Sequence, residues 1–158
     1  MAISGRIYTM GFNNVTLSAA QDLLALYAGS TKIFAVLSVN LGQVTGTSVA
    51  NQRIRIRYLP TTVTSGSGGS AGTIKPIVPG DAAATVTGRI NDTTQATTSG
   101  TAVDYWDDQW NTINGMLFVP PIPSRPFVCG LSGAIVVSLD TAPASLVSSG
   151  SITFEELP

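Results

Sequence analysis

The sequence predicts an all-β protein, a single-domain antiparallel β-sandwich of jelly-roll-like form. Composition is the first observation behind this. Thr, Ser, Val, Ile and Gly are abundant while Lys and Glu are scarce, a balance that favours strands and turns over helices. The second is spacing, because short apolar or alternating runs recur along the chain between clusters of Gly, Asn, Pro and Ser. The third is length. At 158 residues the chain suits one domain, and a chain near that size buries roughly 70% of the surface its unfolded form exposes.

The elements follow in order. Ile3 to Thr9 alternates, and Gly11-Phe12-Asn13-Asn14 then reads as a turn. Ser18 is placed to cap a short helix over Ala19 to Leu26, a run of good helix formers with leucines at 23 and 26. Lys32 to Leu41 is continuously apolar enough for a central strand buried on both faces. Gln52 to Tyr58 alternates most cleanly, with Arg53, Arg55 and Arg57 on one face and Ile54, Ile56 and Tyr58 on the other. Further strands are expected at Ala84 to Ile90, Val103 to Trp106, Ile113 to Val119, Gly133 to Leu139 and Ser149 to Glu155. Eight or nine strands is near the number a jelly roll uses. An immunoglobulin-like sandwich is the runner-up, without its disulfide, since Cys129 is the only cysteine. Its apolar neighbours Phe127, Val128 and Leu131 predict a buried thiol.

Residues 64 to 101 stand apart as a long low-complexity excursion, read as protruding from the domain. Ser65 to Ser70 is nearly pure Ser and Gly, with little apolar surface to offset its own ordering entropy. The run from Ser65 to Pro79 is expected to be mobile alone and to order against a partner.

Much chemistry is excluded. There is no histidine, which removes Ser-His-Asp and Cys-His catalysis and histidine-ligated zinc. One cysteine builds no thiolate metal site, and the Gly-rich run lacks the Gly-Lys-Ser/Thr ending of a phosphate loop. Neither a cofactor nor a bound metal is expected. The net charge is −1, so no long-range field draws the protein onto nucleic acid. The N-terminus has no signal-peptide pattern and no run approaches a membrane span, so synthesis in the cytoplasm and no membrane partner are expected. Only 11% of residues are charged while 44% are apolar, which leaves part of the surface to face other protein.

Two constellations remain. Asp104-Tyr105-Trp106-Asp107-Asp108-Gln109-Trp110 sets carboxylates beside aromatic rings, a combination that serves glycoside cleavage, a calcium ion, a glycan or protein contact, or simply a turn with aromatic core anchors. The last is favoured, because the spacing matches no calcium loop and Asp is a common turn former. The arginine ladder reads either as a solvated or cross-strand-paired face or as a contact surface. The two sequons, at Asn14 and Asn91, carry no weight without a secretory signal.

The motifs TSGSGGSA from Thr64, Lys75-Pro76, Asp81-Ala82-Ala83-Ala84, Asn91-Asp92-Thr93-Thr94, Trp110-Asn111, Pro120-Pro121, Thr141-Ala142-Pro143-Ala144 and the terminal GSITFEEL run through nearly the whole chain. In these it resembles a family of small proteins encoded in the structural-gene regions of tailed bacteriophages and prophages, some similar to capsid auxiliary, or cement, proteins. The resemblance implies a non-enzymatic virion protein on the capsid exterior, with the major capsid protein and copies of itself, in a homotrimer, as partners and no small-molecule substrate. A receptor- or glycan-binding appendage is the alternative. Candidate contact residues are Arg53, Arg55, Arg57, Ser67, Gly68, Gly69, Lys75, Trp106 and Trp110.

Overall fold

The computed structural model describes residues 5–45, 51–121, 126–144 and 146–158, so Ile3 and Ser4 of the first expected strand lie outside the described residues. Strands run β1 Arg6–Leu17, β2 Gln21–Tyr27, β3 Phe34–Thr45, β4 Asn51–Leu59, β5 Val63–Thr64, β6 Ser70–Ala71, β7 Lys75–Pro76 and β8 Thr87–Asp92. They continue with β9 Thr97–Thr98, β10 Val103–Asn111, β11 Met116–Phe118, β12 Phe127–Cys129, β13 Ala134–Leu139 and β14 Leu146–Glu156. One sheet is ordered β11-β3-β14-β1-β7, with β12 also against β3; the other is β10-β4-β13-β2-β8-β6; β5 and β9 form a separate ribbon.

The topology identifies the sandwich. β11 and β12 lie end to end along β3, opposite Val39 to Leu41 and Phe34 to Val36, and act as one interrupted edge strand. With the short strands of the 64–101 segment and β8 set aside, the rest fall into two layers in the orders β1-β14-β3-β11/β12 and β2-β13-β4-β10, consecutive strands changing layer at every step except from β4 to β10. The last strand returns beside the first and the next-to-last beside the second, which is the jelly-roll arrangement of two Greek keys. The core between the layers holds Tyr8, Met10, Leu24, Phe34, Ile54, Ile56, Ile135, Ile152 and Phe154, all almost completely buried.

Three local expectations are corrected. The segment expected as a helix is strand β2, paired with β13 and β8. Leu23, Leu24 and Leu26 enter the main core while Ala25 enters a second cluster on the opposite face. A segment with apolar demand on both sides is satisfied between two neighbouring strands, and this outweighs a helix propensity worth tenths of a kcal/mol per residue, about 0.7 at most. The expected turn at 11 to 14 is a bulge inside β1, where Asn14 takes a φ of 56 and the register shifts between Phe12 and Val15. Finally, β3 is central in its sheet but open on one face, with Asn40 exposed. The strands buried on both faces are β2 and β13.

The cover over β13 comes from the segment read as a protruding excursion. Val63 and Ala96 pack on Ala134 and Val136 across the outer face of β13. β8 extends its sheet, β6 pairs with β8, and β7 pairs with β1 of the other sheet. The segment thus lies along the body and bridges both layers. Its glycines are needed for close approach more than for freedom: a Cβ at Gly69 would overlap the carbonyl oxygen of Ile90, and one at Gly68, whose φ is 88, would overlap Thr93. Gly69→Ala should therefore cost about 1–3 kcal/mol through overpacking. Thermal unfolding and amide exchange over residues 66 to 72 check this, and an unchanged profile would show that the segment does not rest on β8.

Glu156 clasps the same segment from the end of β14. Its Oε1 accepts from Thr85 N at 2.7 Å and Val86 N at 3.1 Å, and Lys32 Nζ stands 3.5 Å from Oε2. Burial pushes this carboxyl up, but the Thr85 and Val86 donors and the Lys32 ammonium outweigh it and hold it below the ordinary value. A depressed folded-state pKa stabilises fully above the unfolded value and loses that contribution as pH falls through the folded one. Acid melting curves should show this loss, and Glu156→Gln should flatten that part of the acid limb. An identical limb in both proteins would remove Glu156 as its source.

Candidate functional site

The two constellations read separately in the sequence are halves of one charge ladder on the outer face of the β10-β4-β13-β2 sheet. Strand β4 supplies the arginines by strict alternation, so Ile54 and Ile56 turn inward and Arg53, Arg55 and Arg57 outward. Strand β10 supplies carboxylates only because it is bulged. Its register shifts between Asp104 and Trp106, which sets Asp104 opposite Arg57 and Asp107 opposite Arg55 on the same outer face. Unbroken alternation would have placed Asp104 and Asp107 on opposite faces.

The pairing is dense. Arg53 Nε donates to Asp107 Oδ1 at 2.9 Å, and its Nη1 lies 3.2 Å from Asp140. Arg55 Nε donates to Asp140 Oδ1 at 2.8 Å, and its Nη1 reaches Asp104 at 3.3 Å. The guanidinium of Arg53 holds the Asp107 carboxyl below its usual range, and Asp107 in turn raises Arg53. Arg57 is buried, donating from Nε to Ser138 Oγ at 2.9 Å and from Nη2 to Asp22 Oδ1 at 3.2 Å. Asp22 also accepts from Ser138 Oγ at 2.7 Å and from Ala96 N at 2.6 Å. It therefore ties β2, β4 and β13 to the 64–101 segment. Burial pushes the Asp22 carboxyl up, opposed by these donors. The ladder is cross-strand paired within this chain, and Arg57, expected at a contact surface, has none to offer.

The aromatic residues of β10 point the other way, into the open edge between the sheets. Tyr105 stacks on Tyr58 with centroids 5.6 Å apart and planes 3° from parallel, and on Phe127 at 4.8 Å. Phe118 links Phe127 to Trp106 at 5.4 and 5.1 Å. Trp110 is buried, with Nε1 donating to Asn114 O at 2.8 Å. It anchors the core and is corrected as a contact residue, whereas Trp106 is half-buried at the rim. The shallow cleft beside Trp106 contains one carboxylate, Asp108, where glycoside cleavage uses a facing pair. Among the described residues no group of three or more metal-binding side chains comes together. Cys129 is buried, and burial pushes its thiol up to about 12, which leaves it unreactive near neutrality.

Ser67, Gly68, Gly69 and Lys75 are all exposed along the 64–101 segment. Gly68 and Gly69 line a cleft with Gln21 and Asn91, two residues that sequence reasoning missed. Asp22 was missed too. An acid inside the otherwise apolar QDLLALY was its one available signal.

Charge is segregated between the layers. In one sheet β1, β3, β11, β12 and β14 carry only Arg6, Glu155 and Glu156, all at one end, and the short edge strand β7 adds Lys75 opposite Thr9. The outer face of this sheet carries Thr9, Gly11, Ser38, Asn40, Ser149, Ser151 and Thr153, and its β11/β12 edge exposes Leu117, 65% accessible, beside Val119 and Val128. Compared with protein-family models, with curated proteins and with solved structures, the chain matches none.

Proposed function

We propose that this chain is a structural, non-enzymatic protein of a tailed-phage virion that binds the assembled capsid from outside as a cement, or decoration, protein. The observation that carries the reading is the sparsely charged outer face of the β1-β14-β3 sheet, where Glu155 lies at one end and Lys75 of β7 at the β1 edge, together with the apolar β11/β12 edge at Leu117, Val119 and Val128. A face of small and hydroxyl side chains avoids the larger cost of burying charge, and it suits contact with a protein surface that supplies hydrogen-bond partners to its hydroxyls. The opposite face spends its arginines and aspartates on one another and is left to solvent. The resemblance of the TSGSGGSA, Asp81-Ala82-Ala83-Ala84 and GSITFEEL motifs to phage structural-region proteins supplies the setting.

The mechanism is thermodynamic. A protein that binds only the assembled shell stabilises it by mass action, and copies around a threefold axis multiply the contacts through avidity. The major capsid protein and further copies of this chain are the partners; the protein is made in the host cytoplasm and uses no cofactor.

Particles lacking the protein should form a recognisable shell that loses its genome at lower temperature, and purified protein should restore resistance. Ser151→Lys and Leu117→Asp should remove binding to such particles without altering folding, whereas Arg53→Ala should bind normally. Added salt should change the affinity little, since few charges meet. Deletion particles of unchanged resistance, or full binding by the Ser151→Lys variant, would defeat the assignment.

A further inference from the structure

A second feature lies at the other edge of the sandwich, where the end of β1 meets β8 and the Ser/Gly segment. Val15, Gln21, Gly68, Gly69, Ile90 and Asn91 line a cleft there. Gln21 is only 1% exposed, yet its Oε1 has no hydrogen-bond partner among the described residues, and the same holds for the buried Oδ1 of Asn91. Buried polar atoms are almost always paired, so two orphans on residues that line one cleft mark a place where something else supplies the partner. The backbone there is specialised as well. Asn91 has a φ of 56, Gly68 a φ of 88, and neither Gly68 nor Gly69 has room for a Cβ.

The lining restricts the ligand. Among the described residues, no Asp, Glu, Lys or Arg borders the cleft. An anion would meet carbonyl oxygens, a hard cation would leave its hydration shell for a site without charge, and an apolar ligand would bury both oxygens unpaired. A hydroxyl group both donates and accepts, so it pairs with a side-chain amide whichever way that amide is turned. Val15 and Ile90 offer apolar surface for the C–H face of a ring, while Thr16, Ser70 and Thr93 place further hydroxyls around it. We propose that this cleft binds a neutral saccharide unit, held by the side-chain amides of Gln21 and Asn91. The inference goes beyond the capsid role and does not depend on it, since the cleft is complete in a single chain.

The test uses the whole protein, isotope-labelled, titrated with glucose, galactose, N-acetylglucosamine and rhamnose, with glycerol as the control for non-specific hydroxyl contact. At least one sugar should shift the side-chain amide signals of Gln21 and Asn91 and the backbone signals of Gly68 and Gly69, saturating in the millimolar range. Asn91→Gly keeps the positive φ and removes the oxygen, and Gln21→Met keeps the volume; each should weaken binding by about tenfold or more. Asn91→Gly serves alone if Gln21→Met fails to fold. Shifts that rise linearly as with glycerol, equal titration of Asn91→Gly, or no shift with any of the sugars would overturn the proposal and leave a bound water as the partner of the two oxygens.

Discussion

Asp22→Ala should lower the stability of the protein by about 3–5 kcal/mol, the usual cost of removing one partner from a buried ion pair. The Asp22 side chain is fully buried, and it receives donors from Arg57, Ser138 and Ala96. Its loss leaves the Arg57 guanidinium, itself only 11% exposed, without its counter-charge and frees the backbone N–H of Ala96. Two further variants separate the contributions. Asp22→Asn keeps an acceptor for Ala96 and Ser138 and should cost less than Asp22→Ala. Asp22→Leu combined with Arg57→Met removes both charges and should be less damaging than Asp22→Ala alone, because no unpaired charge remains inside. Chemical denaturation measures all three, and a loss below about 1 kcal/mol for Asp22→Ala would mean that the site is solvated as a surface pair is.

Ile54→Ala should be nearly as harmful, at about 2–5 kcal/mol for a large-to-small change in a packed core. Ile54 is completely buried between the layers, opposite Leu139 on one neighbour and Asp108 on the other. Its neighbour Arg55 lies on the outer face, bridging Asp104 and Asp140 with part of its side chain in water. Partly exposed pairs are worth about 0–1 kcal/mol, so Arg55→Ala should hardly move the unfolding midpoint. Adjacent residues with such unequal effects are the signature of a half-buried strand. A stable Ile54→Ala protein beside an unfolded Arg55→Ala protein would invert the register.

Arginine was sought as the contact group because it is favoured at interfaces, but here each outward arginine has carboxylates of its own chain within reach. The surface with few such commitments is the sparsely charged sheet on the other side. Sequence reasoning had the composition behind that surface, the low charge and high apolar content, without its location. Location depends on which strands share a sheet, and β1, β3 and β14 are joined from the two ends of the chain.

By itself the sequence determined what local chemistry controls. The two-residue alternation of Gln52 to Tyr58 set which side chains face the core, since adjacent side chains on a strand take opposite faces. The lone cysteine and the lack of histidine set which chemistries are absent. The density of strand and turn signals set the all-β class and pointed to a sandwich, while the strand order chose the jelly roll over the immunoglobulin-like alternative. Tertiary structure decided whatever depends on partners far along the chain. It made Gln21 to Tyr27 a strand, because its leucines and Ala25 are buried on opposite sides by β13, β8 and the 64–101 segment. It turned Asp104 and Asp107 to one face through a bulge no periodicity announces. It also laid the Ser/Gly run against β8, where glycine is required by the closeness of another backbone. Propensity acts residue by residue and is worth tenths of a kcal/mol, up to about 0.7, whereas burial of a whole side chain is worth about 1.5–3 kcal/mol, so where the two conflict the distant partner prevails.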